Sequence, residues 1–237
     1  MDRNADFGGF LGQAIDLVTT NSRASLLFIA VVGGFNAFGL MMGLIDGNDS
    51  IAGIGFGFSI DASEGITAAL YQLATAALSI VASYFLLMVL LASCGRLKDR
   101  STRIWAYIGM SILTVLGAVL GMLLLIVPGI ILLVRWSAAS GFLIGERAGV
   151  TESLGQSWEA TRGYSWPIFF AFLVLIVGFI VVAGVIGGVA GFIGSDLIIA
   201  IASSAAEAAG SVLSLAFGIG VYTLLHDDSQ QVSEVFS

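Results

Sequence analysis

Between Ile104 and Gly145 the chain runs for 42 residues with a single charged side chain, Arg135. As one α-helix that run would reach about 63 Å at 1.5 Å per residue, twice the roughly 30 Å hydrocarbon thickness of a bilayer. It must therefore double back. The segment Val127-Pro128-Gly129-Ile130 is the best place, because proline presets the first corner of a type II turn and glycine supplies the positive φ of the second. The alternative is a turn nearer Gly121, with Pro128 kinking the helix that follows. Nor is the run exceptional within the chain: 58% of the 237 residues are hydrophobic and 11% charged, against about 25% charged in soluble domains. This is the composition of a polytopic membrane protein.

The remaining apolar runs complete an all-α scheme of six transmembrane helices in one membrane domain covering 1–237, with spans at about 24–45, 66–93, 104–127, 130–145, 166–189 and 197–225. Arg96, Lys98, Arg100 and Arg103 crowd one short loop and supply four of the nine Lys and Arg residues. By the positive-inside rule that loop is cytoplasmic, and both termini are cytoplasmic with it. Asp46, Asp49, Asp61 and Glu64 occupy a loop without Lys or Arg, which places it outside. Within that loop Ile54, Phe56, Phe58 and Ile60 alternate with small residues, a period-two pattern that predicts an extended, strand-like segment on the membrane surface. Its Gly-x-Gly spacing is no nucleotide loop, since Phe58 fills the last glycine position.

Two stretches carry helical periodicity with one polar face, the mark of interfacial amphipathic helices. In the first, 7–20, Phe7, Phe10, Leu11, Ala14, Leu17 and Val18 oppose Asp6, Gln13 and Asp16. In the second, 150–163, Val150, Leu154 and Trp158 oppose Glu152, Gln156 and Glu159. Several glycine pairs, among them Gly117 with Gly121 and Gly184 with Gly188, have the spacing that lets membrane helices approach closely. Intrachain packing is the favoured use, with a homo-oligomer face as the alternative.

The net charge of −7 excludes nucleic acid as a partner, because a polyanion attracts Lys- and Arg-rich surfaces. No basic leader with a short apolar core and a cleavage site opens the chain, so a cleaved signal peptide is not expected. Cys94, the single cysteine, reads as an inert free thiol. One histidine and one cysteine offer no metal cluster, and no cofactor motif or catalytic constellation is found. Enzyme activity is not expected.

Arg135 and Glu207 are the charges that fall well inside predicted spans, where an Arg costs about 2.5–3.5 kcal/mol on insertion scales. They form the candidate intramembrane polar site. A salt bridge between spans four and six would lower the cost of burying each. Otherwise Arg135 snorkels to the interface and Glu207 rests in a groove with Ser203, Ser204 and Ser211. Trp136 lies beside Arg135, within stacking reach.

The stretch Gly121–Phe170 carries a Pro128-Gly129-Ile130 turn, Arg135 in a short helix, Glu146 after it, and Ser157-Trp158-x-x-Thr161-x-Gly163 before the next span. This pattern resembles the membrane domain associated with glycerophosphoryl diester phosphodiesterases and its stand-alone bacterial relatives. The resemblance covers about 50 residues by motif and the whole chain by layout. The chain departs from the family pattern after Tyr222, where Thr223-Leu224-Leu225-His226 replaces a basic residue. The family's catalytic barrel is absent, so the resemblance implies a fold and a bacterial inner (cytoplasmic) membrane location rather than phosphodiesterase activity. The expected function is a non-enzymatic, lipid-interacting or accessory integral membrane protein, with membrane lipids, and a membrane-protein partner or second copy, as its contacts. The alternative is a small transporter or lipid-translocating protein with its site near Arg135 and Glu207.

Overall fold

The computed structural model describes residues 5–45, 65–98, 102–124 and 126–235, and no strand occurs among them. In chain order the helices are α1 (Phe7–Thr20), α2 (Ser22–Phe28), α3 (Gly34–Met41), α4 (Ile66–Ser93), α5 (Ile104–Leu124), α6 (Ile126–Arg135), α7 (Ala139–Gly145), α8 (Val150–Ala160), α9 (Ser165–Ile193) and α10 (Asp196–Val235). A π-helical turn, Ile29–Gly33, joins α2 to α3. Among the described residues six segments are long and apolar enough to cross a membrane: Ser22–Met41, Ile66–Ser93, Ile104–Leu123, Val127–Gly145, Ser165–Ile193 and Asp196–His226. The protein is an all-α polytopic membrane protein. The strand-like segment expected at Ile54–Ile60 lies outside the described residues.

α1 occupies the expected 7–20 stretch for local reasons. The Asp6 carboxylate accepts the Gly9 N–H at 2.7 Å, capping the first turn. At the other end the Asn21 side-chain amide donates to the Leu17 carbonyl at 3.0 Å and to the Ser93 hydroxyl at 2.9 Å. Phe10, Ala14 and Leu17, one helical turn apart, form its buried face.

The chain divides into two compact units. One comprises Ser22–Leu86 and Leu175–Ser214. In it Gly33 lets two helices approach, because a Cβ there would stand 3.1 Å from the Ser204 carbonyl oxygen. Tyr71 stacks on Phe35 with ring centroids 4.7 Å apart and donates its hydroxyl proton to the Phe35 carbonyl. Val177, Ile180, Val181, Val185 and Val189 point outward, as side chains facing lipid do. Gly184, Gly187, Gly188 and Gly191 would meet nothing within 4 Å if they carried a Cβ. The intrachain packing expected of that glycine pattern is therefore not what α9 uses it for.

The other unit comprises Met1–Asn21, Leu87–Val174 and Leu215–Ser237. Its axis is the α10 stretch from Ala216 to Leu225, every residue of which is buried. A helix apolar on all sides is stable only when other helices surround it. Close approach here depends on missing side chains: a Cβ on Gly141 would overlap the Tyr222 ring, one on Gly218 would fall 2.7 Å from the Ser137 carbonyl oxygen, and one on Gly220 would sit 3.4 Å from the Ala14 nitrogen.

Two expectations for the Ile104–Gly145 run need correction. The reversal is at neither Val127–Ile130 nor Gly121, because α5 continues to Leu124 and α6 starts at Ile126. Pro128 instead occupies the first turn of α6, where its missing N–H removes no intrahelical bond. Gly129 serves packing, since a Cβ on it would overlap Met122. The fourth span is also not one helix over 130–145. It breaks at Trp136–Ala138 into α6 and α7, and a side-chain cap from α8 makes that break affordable.

Candidate functional site

The break exposes carbonyls, and it is there that the sequence motif gathers. Helix α6 ends at Arg135, whose carbonyl belongs to the last turn and has no partner within the helix. The Ser157 hydroxyl of α8 donates to it at 2.7 Å, with the Thr161 hydroxyl a second donor at 3.4 Å. Thr161 has the Ser157 carbonyl closer, at 2.8 Å, so Ser157 is the principal cap. Both side chains are fully buried, as is Ser153 one turn earlier. The guanidinium of Arg135 turns the other way. Its Nη1 donates to the Trp158 carbonyl at 3.2 Å and its Cζ lies 5.1 Å over the Trp158 ring, an arrangement in which the ring's π cloud attracts the cation. Arg135 is half-exposed and Trp158 is 40% exposed, so one edge of this cation–indole pair is open.

Helix α8 forms because the Glu152 carboxylate accepts the Gly149 N–H at 3.0 Å ahead of its first turn. It spans Val150–Ala160 within the predicted 150–163, but the buried face differs from the apolar stripe expected. Ser153, Leu154, Ser157 and Thr161 face inward, while Trp158 faces out. Gly163 takes φ +95 in the link to α9, a left-handed value that favours glycine.

Glu146 lies just past α7 and joins the C-terminal part of α10. Its Oε1 accepts the Tyr222 hydroxyl proton at 3.3 Å and lies 3.2 Å from His226 Nδ1, an ion pair whenever that imidazole is protonated. Tyr222 packs edge-on against Phe142 with centroids 5.0 Å apart. Helix α7 ends with the Glu146 and Ala148 N–H groups both donating to the Phe142 carbonyl, while Arg147 adopts φ 63. A side chain in that left-handed conformation costs about 1–2 kcal/mol. Arg103 completes the end, donating from Nη1 to the Ala148 carbonyl at 3.0 Å and the Leu143 carbonyl at 3.5 Å, where a cation also complements the helix dipole.

The structure thus brings Arg135, Ser157, Trp158 and Thr161 together, and Glu146 with Tyr222 and His226. Arg135 takes these contacts within its own unit, and Glu207 is part of the other. There the Ser211 hydroxyl donates to the Glu207 backbone carbonyl. Sequence reasoning missed Ser153, Tyr222 and Arg103. A signal for the first existed, since Ser153, Ser157 and Thr161 recur at four-residue spacing, but hydroxyls on a helix read as a polar face until a buried carbonyl is found opposite them.

Cys94, just beyond α4, is half-buried. Burial pushes its thiol above the ordinary value, outweighing the opposing influence of Ser93 and Arg96. The thiolate is the nucleophile, so iodoacetamide should modify Cys94 slowly at neutral pH and faster only above the usual thiol range. Rapid modification at pH 7, read as a mass shift, would show an activated thiol instead.

No family model, curated protein or solved structure matches this chain.

Proposed function

We propose that the protein is a non-enzymatic, lipid-interacting component of the bacterial inner (cytoplasmic) membrane, with the 96–103 loop and both termini on the cytoplasmic side. The observation that carries this reading is the Arg135–Trp158 pair. The guanidinium is held by one backbone carbonyl and one indole face at a half-exposed edge, and its remaining N–H groups are suited to a phospholipid phosphate. Tryptophan beside a cation is also the side-chain pair that membrane proteins place at headgroup level. Ser157 and Thr161, the hydroxyls of the motif, are occupied with closing a helix end, which is support rather than chemistry. The resemblance of Gly121–Phe170 to the membrane domain of the phosphodiesterase family agrees with a membrane role.

Native mass spectrometry of the protein released gently from its own membrane tests this. The wild type is expected to retain discrete phospholipid adducts that Arg135→Ala loses at the same collision energy. Identical adducts on both proteins would remove Arg135 as a lipid contact, and the intact mass reports a second copy or a different protein held in place of lipid.

A further inference from the structure

Within the unit formed by Ser22–Leu86 and Leu175–Ser214, the first and sixth spans touch backbone to backbone. A Cβ on Gly33 would stand 3.1 Å from the Ser204 carbonyl oxygen and 3.4 Å from the Ala205 Cα. Gly33 lies about 16 Å along Ser22–Met41 and Ser204 about 12 Å along Asp196–His226, at 1.5 Å per residue, so the contact falls inside the hydrocarbon. Gly33 also ends the π-helical turn Ile29–Gly33, and single π turns inside α-helices recur at functional sites.

Three polar side chains border this contact. The Ser204 hydroxyl is 1% exposed and has no hydrogen-bond partner among the described residues, a buried polar group that calls for an explanation. Asn36 and Glu207, both half-buried, stand one turn past Gly33 and Ser204. Spans one and six run in opposite directions, so a local two-fold axis relates them, and positions one turn past the contact on each helix swing to the same flank. Helical side chains lean back toward the N-terminus of their own helix. On antiparallel helices those leans are opposed, and the Asn36 amide and the Glu207 carboxyl therefore converge on the level of the Gly33–Ser204 contact. No described side chain of this unit hydrogen-bonds or ion-pairs with either group. The other ionisable side chains among the unit's described residues are remote or engaged. Arg23 is about 15 Å of helix from Gly33, Asp196 about 16 Å from Glu207 and Tyr84 about 20 Å from Tyr71, while Tyr71 donates to the Phe35 carbonyl.

We infer that Glu207, Ser204 and Asn36 form an intramembrane binding site for a small monovalent cation, a proton or a sodium ion. A carboxylate in hydrocarbon requires a positive partner, and Arg23 is the only Lys or Arg in this unit's sequence. A carboxylate, a hydroxyl and an amide carbonyl are the oxygen donors that suit hard cations, and their single negative charge matches one positive charge. The serine hydroxyl serves either ligand, since its oxygen accepts from a protonated carboxyl or faces sodium with a lone pair. Arg135 lies in the other unit, and the site does not rest on a lipid bound there.

Dicyclohexylcarbodiimide, an apolar reagent that adds to protonated carboxyl groups inside membranes, tests this on the full chain in nanodiscs, with peptide mass spectrometry locating the adduct. The carboxyl oxygen bonds to the central carbon of the reagent, its proton passes to a nitrogen, and the product rearranges to a stable N-acylurea with no group lost. Glu207 should be modified, and Glu207→Gln should abolish the adduct at an unchanged thermal midpoint. The rate should fall about tenfold per pH unit on the alkaline side of its profile. At one pH, slowing by sodium chloride but not by choline chloride identifies sodium as the ligand, whereas equal rates in the two salts identify the proton; either result supports the site. Ser204→Ala and Asn36→Ala should each shift the half-protecting concentration of that cation about tenfold. No adduct at Glu207 in the wild type, or one whose rate ignores both pH and sodium, would overturn the inference. So would an adduct that forms only in Arg135→Ala, which would show the carboxylate already paired with a guanidinium, or an alanine variant at Ser204 or Asn36 that leaves the profile unmoved.

Discussion

A single methyl group added at Gly141 is expected to destabilise the protein by about 2–3 kcal/mol, the upper part of the range for overpacked cores. The added carbon would overlap both Cβ and the ring of Tyr222. No rotamer of Tyr222 relieves a clash with its own Cβ, so α7 and α10 must separate. The ring is also immobile, being 1% exposed, packed on Phe142 and tied through its hydroxyl to Glu146. For a protein of this size the loss corresponds to a fall of about 4–12 °C in the thermal midpoint, measurable in detergent or nanodiscs. Gly155→Ala is the matched control, because nothing lies within 4 Å of its added carbon. There the better helix propensity of alanine should raise stability by about 0.5–1 kcal/mol. If Gly141→Ala and Gly155→Ala behave alike, α7 does not pack on α10 as described.

The second large effect is expected where α6 ends. Ser157→Ala removes the principal donor to the Arg135 carbonyl but leaves Thr161 able to turn its hydroxyl from the Ser157 carbonyl toward it, 3.4 Å away. Thr161→Val leaves Ser157 in place. Each single change should therefore cost about 1 kcal/mol, the net worth of one hydrogen bond. The double variant leaves the Arg135 carbonyl without either donor and should cost about 3 kcal/mol, more than the sum. A double-mutant cycle on thermal or denaturant unfolding measures the excess, and strict additivity would mean that the two hydroxyls do not share one acceptor. Arg135→Ala in the same assay should be milder than the double variant, since its carbonyl and cap survive the loss of the guanidinium.

The sequence reveals the motif residues Arg135, Glu146, Ser157, Trp158 and Thr161 as a group, but not what joins them. Ser157 and Thr161 read as polar positions of an interfacial helix, because a hydroxyl shows its acceptor only once the chain has folded. Depth along a helix, which the sequence does give for Arg135, says nothing about which face a side chain takes. Trp158 lies 23 residues from Arg135 and captures it through a carbonyl that every residue possesses. No residue type announces such a contact.

What the sequence determined by itself is the periodic and cumulative part of this protein. Apolar runs of about 20 residues and longer located the helical segments, because burial in hydrocarbon is set by summed side-chain hydrophobicity and leaves the backbone no choice but helix. The Asp6 cap and the apolar spacing placed α1 for equally local reasons. Only the tertiary structure decided where the Ile104–Gly145 run turns, why it breaks at Trp136, and that Ala216–Leu225 forms the axis of its unit. These depend on close approaches of glycines to side chains and carbonyls of other helices. Packing compares shapes between distant parts of the chain, and no window of sequence contains both halves of that comparison.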